Sequence, residues 1–594
     1  MAEVAVDIHA FLHDEGYARR YDPQNLNHTG MIFTGGRVPE SLNGLWRVCL
    51  DPFDTGLRQN WPALEPRAPE ARTLPCDYDP AGGDPVPVPS SLNLVMPEWL
   101  LYEGGAWFTR EFAYQPRVAA ERAFLRVGAA NYDTKVFLNG GFLGNHVGGS
   151  TPFFVELTGR LEAENRLQLF VNNARRPDRV PMHHIDWFNY GGIHRNVELL
   201  RLPPIHITDL FVRLVPGSDR RKLGVSVQLS GPVATTARLT IPGLGIREAI
   251  PIEAGRGEVE LAAEPICWSP ERPQLYNVTL ETAADRVTDR VGFREIAVRG
   301  TQLLLNGEPV FLRGICVHED DERMGRATSR EDIARRLTHA KDLGCNFLRL
   351  AHYPHHEWVA QMADEAGMML WAEIPVYWAV DFDNPATLRD AANQLSELIL
   401  RDRNRASIVV WGVGNENADT DPRLAFMTSL VRIARTLDGT RLVSAACLVD
   451  KSEKRIQDRL AAALDVVGIN EYYGWYDPDF GDLAALGRNS SPGKPVIITE
   501  TGGDALAGWH GAETTLTTEE HQAWIYRHQI ATLRAIPYVR GMTPWLLYDF
   551  RSLRRQNAHQ RGHSLKGLIA SDKQTKKAAF AVLQAFYREQ AALF

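Results

Sequence analysis

The sequence predicts a multidomain protein with a β-sandwich over residues 1–202, an immunoglobulin-like β-sandwich over 203–297 and a (β/α)₈ barrel over 298–594. Up to about residue 297 the chain consists of short alternating runs broken by Gly, Asn and Pro, with little helical periodicity. After that point, apolar strands alternate with amphipathic helices, and this alternation is typical of parallel sheets with right-handed crossovers.

The two predicted β domains differ in length and strand spacing. Runs such as WFTREFAY, AFLRVGAA and NRLQLFVNN indicate the strands of the first sandwich. The second stretch contains HITDLFVRLV, GVSVQLSG and LYNVTLETAA, and its shorter length and regular strand spacing suit an immunoglobulin-like sandwich.

Eight apolar strands are expected in the C-terminal part. They are FLRGICVH, CNFLRLAHYP, GMMLWAEIP, SIVVWGVGNEN, RLVSAACL, DVVGINEYYGWY, PVIITETGG and VRGMTPWLLYDF. Helical stretches such as SREDIARRLTHAKDLG separate most of them. In a (β/α)₈ barrel the carboxyl ends of the strands carry the chemistry, so polar residues at those positions are candidate site residues.

Composition indicates neither a nucleic-acid nor a membrane partner. The 594 residues are 44% hydrophobic and 23% charged, with a net charge of −8. No apolar run reaches the ~18 residues of a membrane span, and the N-terminus lacks a signal-peptide pattern, so a cytoplasmic location is expected. The six cysteines form no CxxC pair and are interpreted as reduced core residues: Cys49, Cys76, Cys267, Cys316, Cys345 and Cys447.

Two of the predicted barrel strands lead into glutamates. The fourth ends in Asn415 and Glu416, and the seventh ends in Glu500. Retaining glycosidases need two carboxyl groups about 5–5.5 Å apart, and strand ends around a barrel mouth can supply that spacing. We therefore predict Glu416 as general acid/base, Glu500 as nucleophile and Asn415 as a ligand of the sugar 2-hydroxyl. The alternative is that both glutamates are solvated loop residues.

A series of ordered motifs extends over nearly the whole chain. They are LNGLWRVCLDPFDTG, YEGGAWFTREF, NYDTKVFLNGGFLG, FNYGGIHRNV, LLLNGEPVFLRGICVHED, FLRLAHYPHHE, VVWGVGNEN, INEYYGWY and ITETGG. In these motifs the sequence resembles glycoside hydrolase family 2, and within it the β-glucuronidase-like branch. The resemblance implies a jelly-roll sugar-binding domain, an immunoglobulin-like sandwich and a catalytic barrel, in that order.

The resemblance also assigns individual residues. It implies the same roles for Glu416, Glu500 and Asn415, and makes Tyr472 a hydrogen-bond donor beside the nucleophile. Further positions match the family's sugar pocket: Asp186, His318, Asn470, Tyr476 and Trp545. The alternatives are that His318 satisfies a buried hydrogen bond, that Tyr476 packs in a loop and that Trp545 is an apolar barrel residue.

A cation and a histidine lie within the second predicted barrel strand, CNFLRLAHYP. Arg349 is positioned to hydrogen-bond the nucleophile and keep it ionised, and His352 follows it in RLAHYP. A purely structural salt bridge is the alternative interpretation of Arg349.

The family's carboxylate-recognition motif, Asn-x-Lys, is altered in this chain. Lys566 matches the lysine, but Ser564 stands at the asparagine position in SLKG, which puts carboxylate recognition in doubt. The preceding loop is cationic and favours an anionic sugar, unless it is only a solvated face: Arg551, Arg554, Arg555, His559, Arg561 and His563.

The predicted function is a retaining exo-β-glycosidase acting on a terminal β-hexuronide, either a glucuronide or a galacturonide. A β-galactosidase or another neutral-sugar enzyme is the alternative, and a non-catalytic carbohydrate-binding protein is a more remote one. No cofactor and no metal are expected, because the segment HYPHHE, with His352, His355 and His356, lacks the carboxylate-bearing i, i+4 histidine pattern of a zinc helix. The expected partners are a carbohydrate or glycoside-conjugate substrate and further copies of the chain, as a homo-dimer or tetramer.

Overall fold

The computed structural model describes Tyr21, residues 25–63 and residues 83–594, which belong to two compact units. The described residues of the first unit fall within Val38–Ala174, Asn189–Pro204 and the segment up to Met31, and those of the second fall within Ile32–Arg37, Arg175–Phe188 and Ile205–Phe594. Cys76 lies outside the described residues, and so does the N-terminal segment on which the prediction of a cytoplasmic location rests. The predicted bounds of the three domains stay a prediction.

The first unit is a β-sandwich, as predicted. A four-stranded sheet has the order β1-β12-β5-β9, a six-stranded sheet has the order β3-β2-β4-β10-β7-β8, and β6 pairs with β11. The inward side chains of both sheets form its apolar core, which includes the buried Trp46, Phe108 and Leu125. The elements are β1 Glu40–Ser41, β2 Gly44–Asp51, helix α1 Thr55–Arg58, β3 Asp84–Val88, β4 Gly105–Ala113, β5 Arg122–Val127, β6 Ala130–Asn131, β7 Asp133–Leu138, β8 Gly141–Val147, β9 Phe153–Glu156, β10 Glu164–Asn172, β11 Gly192–Ile193 and β12 Val197–Leu202.

The second unit begins with a smaller sandwich of seven strands. Sheets of order β13-β14-β17 and β16-β15-β18-β19 enclose a separate core that contains Leu239 and Val278. Two antiparallel sheets with this strand count confirm the immunoglobulin-like prediction. The strands, with the three-stranded β20-β21-β22 sheet that follows, are β13 Ile207–Leu214, β14 Lys222–Leu229, β15 Thr235–Ile241, β16 Ile246–Ile252, β17 Arg256–Ala262, β18 Tyr276–Glu281, β19 Arg286–Val291, β20 Ile296–Arg299, β21 Gln302–Leu305 and β22 Glu308–Pro309.

The rest of the second unit is a closed barrel of eight parallel strands, β23 to β30. All eight predicted barrel strands are confirmed. The strands are β23 Leu312–Val317, β24 Phe347–Leu350, β25 Met369–Glu373, β26 Ile408–Asn415, β27 Leu442–Cys447, β28 Val467–Asn470, β29 Val496–Glu500 and β30 Val539–Met542, followed by the hairpin β31 Phe550–Arg551 and β32 His563–Ser564. The helices are α2 Arg330–Leu343, α3 Glu357–Ala366, α4 Pro385–Asp402, α5 Asp421–Leu437, α6 Phe480–Asn489, α7 Glu519–Leu533 and α8 Ala578–Leu593.

Local sequence sets the start of most barrel helices. The side chain of Ser329 caps α2, Asn384 caps α4 with a proline following it, and Thr518 caps α7. Helices α2 and α3 end at Gly344 and Gly367, whose positive φ angles suit the left-handed conformation of a C-terminal glycine. These signals return the chain to the next strand and so bring the strand ends to one rim. Within the described ranges, no helix has the length and apolarity that crossing a bilayer requires.

Candidate active site

A cavity of about 400 Å³ lies at the carboxyl ends of the barrel strands. Glu416, which follows β26, and Glu500, which ends β29, both line it. Further lining residues come from other strand ends and from loops: Asp186, His352, Tyr377, Trp378, Leu448, Val449, Lys451, Asn470, Glu471, Tyr472, Tyr473, Tyr476, Asp477, Trp545, Arg554, Arg555 and Lys566. The barrel therefore brings two carboxyl groups, aromatic rings and cations to one concave surface.

Glu500 is 4% exposed, and both of its carboxylate oxygens have partners. Arg349 donates to Oε1 at 2.8 Å, and the Tyr472 hydroxyl donates to Oε2 at 2.7 Å. Burial and the charge of Glu500 raise the pKa of Tyr472 well above its usual value, so the phenol keeps its proton. A cation and a phenol thus occupy the two oxygens of the carboxyl group.

Glu416 has different surroundings. Its Oε2 accepts a hydrogen bond of 2.7 Å from the Trp378 indole, and its backbone N–H donates to Ala446 at 2.8 Å. Burial and the nearby negative charge of Glu500 raise the pKa of Glu416, which favours the protonated form. The residue also has a φ of 50°, a left-handed conformation that a glutamate adopts only when its neighbours hold it there.

A third buried carboxyl group, that of Glu373, lies behind Glu500. Arg349 bridges the two, donating to both oxygens of Glu373 at 3.1 Å each, while His352 Nδ1 lies 2.8 Å from Glu373 Oε1. Burial alone would raise the pKa of Glu373, but the Arg349 charge and the His352 hydrogen bond outweigh it and hold that pKa below its usual value. The guanidinium of Arg349 is therefore fixed between two carboxylates.

Asn415 also contacts this arginine. Its Oδ1 accepts from Arg349 Nη2 at 2.6 Å and from Asn470 Nδ2 at 3.2 Å. Its buried Nδ2 has no hydrogen-bond partner among the described residues, a rare condition for a buried amide. The acceptor half of the amide is thus occupied, and the donor half has no partner among the described residues. Like Arg349, Asn415 is not among the residues that line the cavity.

Lys566 lies in a second polar cluster on the cavity wall. Its Nζ pairs with Asp504 at 3.0 Å and donates to the Tyr476 hydroxyl at 3.3 Å. Arg555 donates to the same hydroxyl at 3.0 Å and pairs with Asp186. Two cations and two carboxylates balance in this cluster, and the Tyr476 hydroxyl, which accepts twice, is left to donate its own proton.

The remaining predicted site residues have different positions. Trp545 lines the cavity, with its ring stacked 4.9 Å from that of His352. His318 is not among the lining residues; its Nδ1 lies 3.0 Å from the Tyr353 hydroxyl, and burial lowers its pKa well below the usual value. Ser564 is also not among the lining residues but pairs with Phe550 in the β31-β32 hairpin.

Of the cationic loop, only Arg554 and Arg555 line the cavity. Arg551 pairs with Glu322 instead, and His563 lies 3.0 Å from the same carboxyl group. His355 bonds the Ala351 carbonyl, and His356 caps α3. In the part of the chain that the structure describes, no three His, Cys, Asp or Glu side chains converge as metal ligands.

Three consecutive family models match this chain. The sugar-binding domain of glycosyl hydrolases family 2 matches residues 39–203, the central family 2 domain matches 205–294, and the family 2 TIM barrel domain matches 296–590. The chain belongs to glycosyl hydrolase family 2. It is therefore a glycoside hydrolase, and the predicted family is confirmed.

Relatives of this family 2 chain extend over nearly its full length. A β-glucuronidase of Paenibacillus borealis is 28% identical, with 91% of this chain and 96% of the relative aligned. A solved family 2 β-galacturonidase of Eisenbergiella tayi, bound to galacturonate, is 25% identical with a TM-score of 0.80, over 94% of this chain and 99% of that one. A solved β-glucuronidase of an uncultured Clostridium species is 27% identical with a TM-score of 0.81, over 93% and 98%.

Several residues of the site were not among those predicted. Glu373 ends β25 within WAEIP, so the rule that strand ends carry polar chemistry could have found it. Trp378 follows in an apolar run, and Asp504 lies in a loop after β29. Nothing in the local sequence relates Trp378 to Glu416 or Asp504 to Lys566, because each pair is joined only by the fold.

Proposed function

We propose that this family 2 chain is a retaining exo-β-glycosidase that removes a terminal β-hexuronide, with Glu416 as acid/base and Glu500 as nucleophile. One observation carries the proposal: two carboxyl groups line one cavity, of which Glu416 has a raised pKa and Glu500 pairs with the Arg349 guanidinium. A retaining mechanism requires one carboxyl group that donates a proton and one that attacks as the carboxylate.

The first step forms a covalent intermediate. The Glu500 carboxylate attacks the anomeric carbon, Glu416 donates its proton to the glycosidic oxygen, and the bond from that oxygen to the sugar breaks. Arg349 and Tyr472 orient the attacking carboxylate. In the second step the Glu416 carboxylate takes a proton from water, the water oxygen attacks the same carbon, and Glu500 departs. Two displacements retain the anomeric configuration.

Asn415 is proposed to donate from Nδ2 to the sugar 2-hydroxyl. Its Oδ1 is held by Arg349 and Asn470, so the amide is oriented before substrate binds. The buried Nδ2 has no partner among the described residues, and a sugar hydroxyl would satisfy it. The same contact strengthens as positive charge develops on the sugar ring, and so contributes to the transition state.

A hexuronide is favoured by the names of the relatives and by the cluster around Lys566. The aligned relatives act on glucuronides or galacturonides by name. Lys566 and Arg555 both donate to Tyr476 at the cavity wall, so a sugar carboxylate there would meet two cations and a phenolic donor.

A neutral sugar remains the second candidate, for a specific reason. Asp504 already pairs with Lys566, and Asp186 already pairs with Arg555, so the cluster carries no excess positive charge. Ser564, at the asparagine position of the carboxylate motif, pairs within a hairpin and is not among the lining residues. A β-galactoside would fit this neutral cluster without disturbing either pair.

The deciding experiment compares kcat/KM for the 4-nitrophenyl β-glucuronide, β-galacturonide, β-galactoside and β-glucoside, in the wild type and in Lys566→Met. A uronide should be the best substrate, and Lys566→Met should lower its kcat/KM by about 10- to 100-fold, the size of a lost charge-assisted hydrogen bond. Lys576→Met is the matched control, because Lys576 is exposed, pairs with Asp342 and does not line the cavity.

Each of three outcomes has a definite meaning. If Lys566→Met removes the uronide preference and Lys576→Met does not, the cluster around Lys566 recognises the sugar carboxylate. If the wild type prefers the galactoside or the glucoside, the hexuronide proposal is wrong while the assignment of the two glutamates stands. If none of the four glycosides is hydrolysed, the glycosidase proposal itself fails.

A further inference from the structure

Arg554 differs from the other cations of the cavity in having no carboxylate partner among the described residues. Lys451 pairs with Asp477 at 2.9 Å, and Lys566 and Arg555 each pair with an aspartate as well. Arg554 is exposed, and no ion pair joins it to any of the described carboxylates; its guanidinium lies 4.5 Å above the centre of the Trp378 ring. It therefore adds one uncompensated positive charge to the cavity wall.

Trp378 connects this charge to Glu416. Its indole N–H donates to Glu416 Oε2 at 2.7 Å, while its own backbone N–H donates to Asn415 at 2.9 Å. Its carbonyl accepts a further hydrogen bond of 2.7 Å from Asn417. Trp378 is thus held at both its backbone and its ring. Its ring contact with Arg554 places that arginine on the side of the cavity where Glu416 lies.

The position of Glu416 identifies what this side binds. An acid that protonates the glycosidic oxygen must lie beside that oxygen, and the leaving group is attached to the same atom. A leaving group therefore passes next to Trp378 and Arg554, whereas the sugar ring being transferred lies against Glu500. Leu448, which is 41% exposed, and Val449 line the same cavity and add apolar surface.

We propose that Arg554 and Trp378 form a leaving-group subsite for an aglycone with a carboxylate or sulfate group, such as a second uronic acid residue. This inference rests on the proposed role of Glu416 as the acid. Stacking on the indole occupies a face of the guanidinium. Its edge N–H groups have no hydrogen-bond partner among the described residues. Those groups match the two oxygens of a carboxylate in a bidentate geometry.

The test uses three fluorogenic umbelliferyl β-glycosides that differ only at position 3 of the leaving group: a carboxylate, the neutral carboxamide of similar shape, and a sulfonate. Each carries whichever sugar the wild type hydrolyses fastest. The quantity measured is the ratio of kcat/KM for the anionic conjugate to kcat/KM for the carboxamide, at low and at high salt. The wild type should prefer the carboxylate by about fivefold, as expected of a solvent-exposed charge pair, and a salt concentration of about 0.5 M should reduce this preference.

Three variants separate a local contact from the overall field of the protein. Arg554→Gln should lower the ratio to about one, because the positive charge that attracts the anion is gone, and Arg554→Lys should keep part of it. Arg561→Gln removes the same charge from the same loop, but Arg561 does not line the cavity, so the ratio should stay at its wild-type value. A sulfonate that matches the carboxylate indicates a general anion subsite, whereas a preference for the carboxylate alone indicates a uronic acid.

Failure of this inference can be told apart from failure of the proposed function. If all conjugates are hydrolysed but Arg554→Gln leaves the ratio unchanged, or if Arg561→Gln lowers it equally, Arg554 does not bind the leaving group. If the wild type hydrolyses none of the conjugates, the glycosidase proposal is overturned, and this inference with it.

Discussion

Glu416 and Glu500 occupy equivalent places at the ends of two barrel strands, and their neighbours make them different. The oxygens of Glu500 receive hydrogen bonds from a buried guanidinium and a phenol. Glu416 has a neutral indole as its hydrogen-bond partner and the charge of Glu500 nearby, and its pKa is raised. The same chemical group thus has the surroundings proposed for a nucleophile at one strand end and for a proton donor at the other.

The surroundings of Glu416 and Glu500 differ because another barrel strand places a cation beside one of them, Glu500. Arg349, on β24, reaches Glu500, Glu373 and Asn415 but donates no hydrogen bond to Glu416 among its described contacts. A cation beside Glu416 would stabilise its ionised form and lower the pKa that acid catalysis needs raised. The reach of one arginine therefore distinguishes the surroundings of the two glutamates.

The largest effect is expected from Glu500→Ala. Loss of the proposed nucleophile should lower kcat by roughly 10⁴-fold or more, as when the nucleophile of a covalent mechanism is deleted. Added azide should restore turnover and give a glycosyl azide of inverted configuration, because the anion then attacks from the side that Glu500 occupied. Product configuration is read by NMR.

Glu520→Gln is the control for that variant, because Glu520 contacts His510 and does not line the cavity. Wild-type kcat in Glu520→Gln is expected. An azide product of retained configuration from Glu500→Ala would contradict the assignment of the nucleophile.

Glu416→Ala should have the next largest effect, and its size should depend on the leaving group. For an alkyl glycoside, kcat/KM should fall by about 10²- to 10⁴-fold, the usual contribution of general acid catalysis. A dinitrophenyl glycoside, whose leaving group needs no proton, should lose much less. The basic limb of the pH profile, assigned to loss of the raised-pKa proton of Glu416, should also disappear. Equal losses for both leaving groups would refute the acid role.

Arg349→Met tests the charge network on the Glu500 side. Removing the cation leaves Glu373 and Glu500 as two buried carboxylates without their shared partner, so unfolding free energy should fall by about 3–5 kcal/mol. Arg435→Met breaks the exposed pair with Asp465 and should cost at most about 1 kcal/mol. Urea denaturation at neutral pH measures both, and equal costs would mean that burial of the Arg349 network adds nothing.

The smallest effect is expected from Trp378→Phe. The indole hydrogen bond stabilises the ionised form of Glu416 and so lowers its pKa, while burial and Glu500 raise it. Removing this bond should raise the pKa of Glu416 further and move the basic limb of kcat/KM to higher pH. A shift to lower pH would show that Trp378 has the opposite influence.

Local sequence patterns predicted much of the fold. Runs such as SIVVWGVGNEN and PVIITETGG predicted β26 and β29, and both strands end at or next to the predicted glutamate. Alternation in WFTREFAY predicted β4 of the sandwich. Strand periodicity and helix caps depend on neighbours a few residues away, so they can be read directly from the chain.

The candidate site was predicted only in part. Both glutamates, Tyr472 and Lys566 line the cavity, and their catalytic and binding roles stay predictions until the variants above are measured. Ser564 and His318, expected at the sugar, lie outside the lining. Both residues lie next to strand ends in the sequence, but this position does not determine whether a side chain reaches the cavity. The hairpin that contains Ser564 and the aromatic cluster around His318 decide it.

The sequence by itself determined the barrel, the two sandwiches and the strand ends on which Glu416 and Glu500 stand. Tertiary structure alone decided that Arg349 pairs with Glu500, that Trp378 contacts Glu416 and that Asp504 neutralises Lys566. The physical reason is range: secondary structure follows from neighbours along the chain, whereas a pKa and a charge balance depend on groups that only folding brings within a few ångströms.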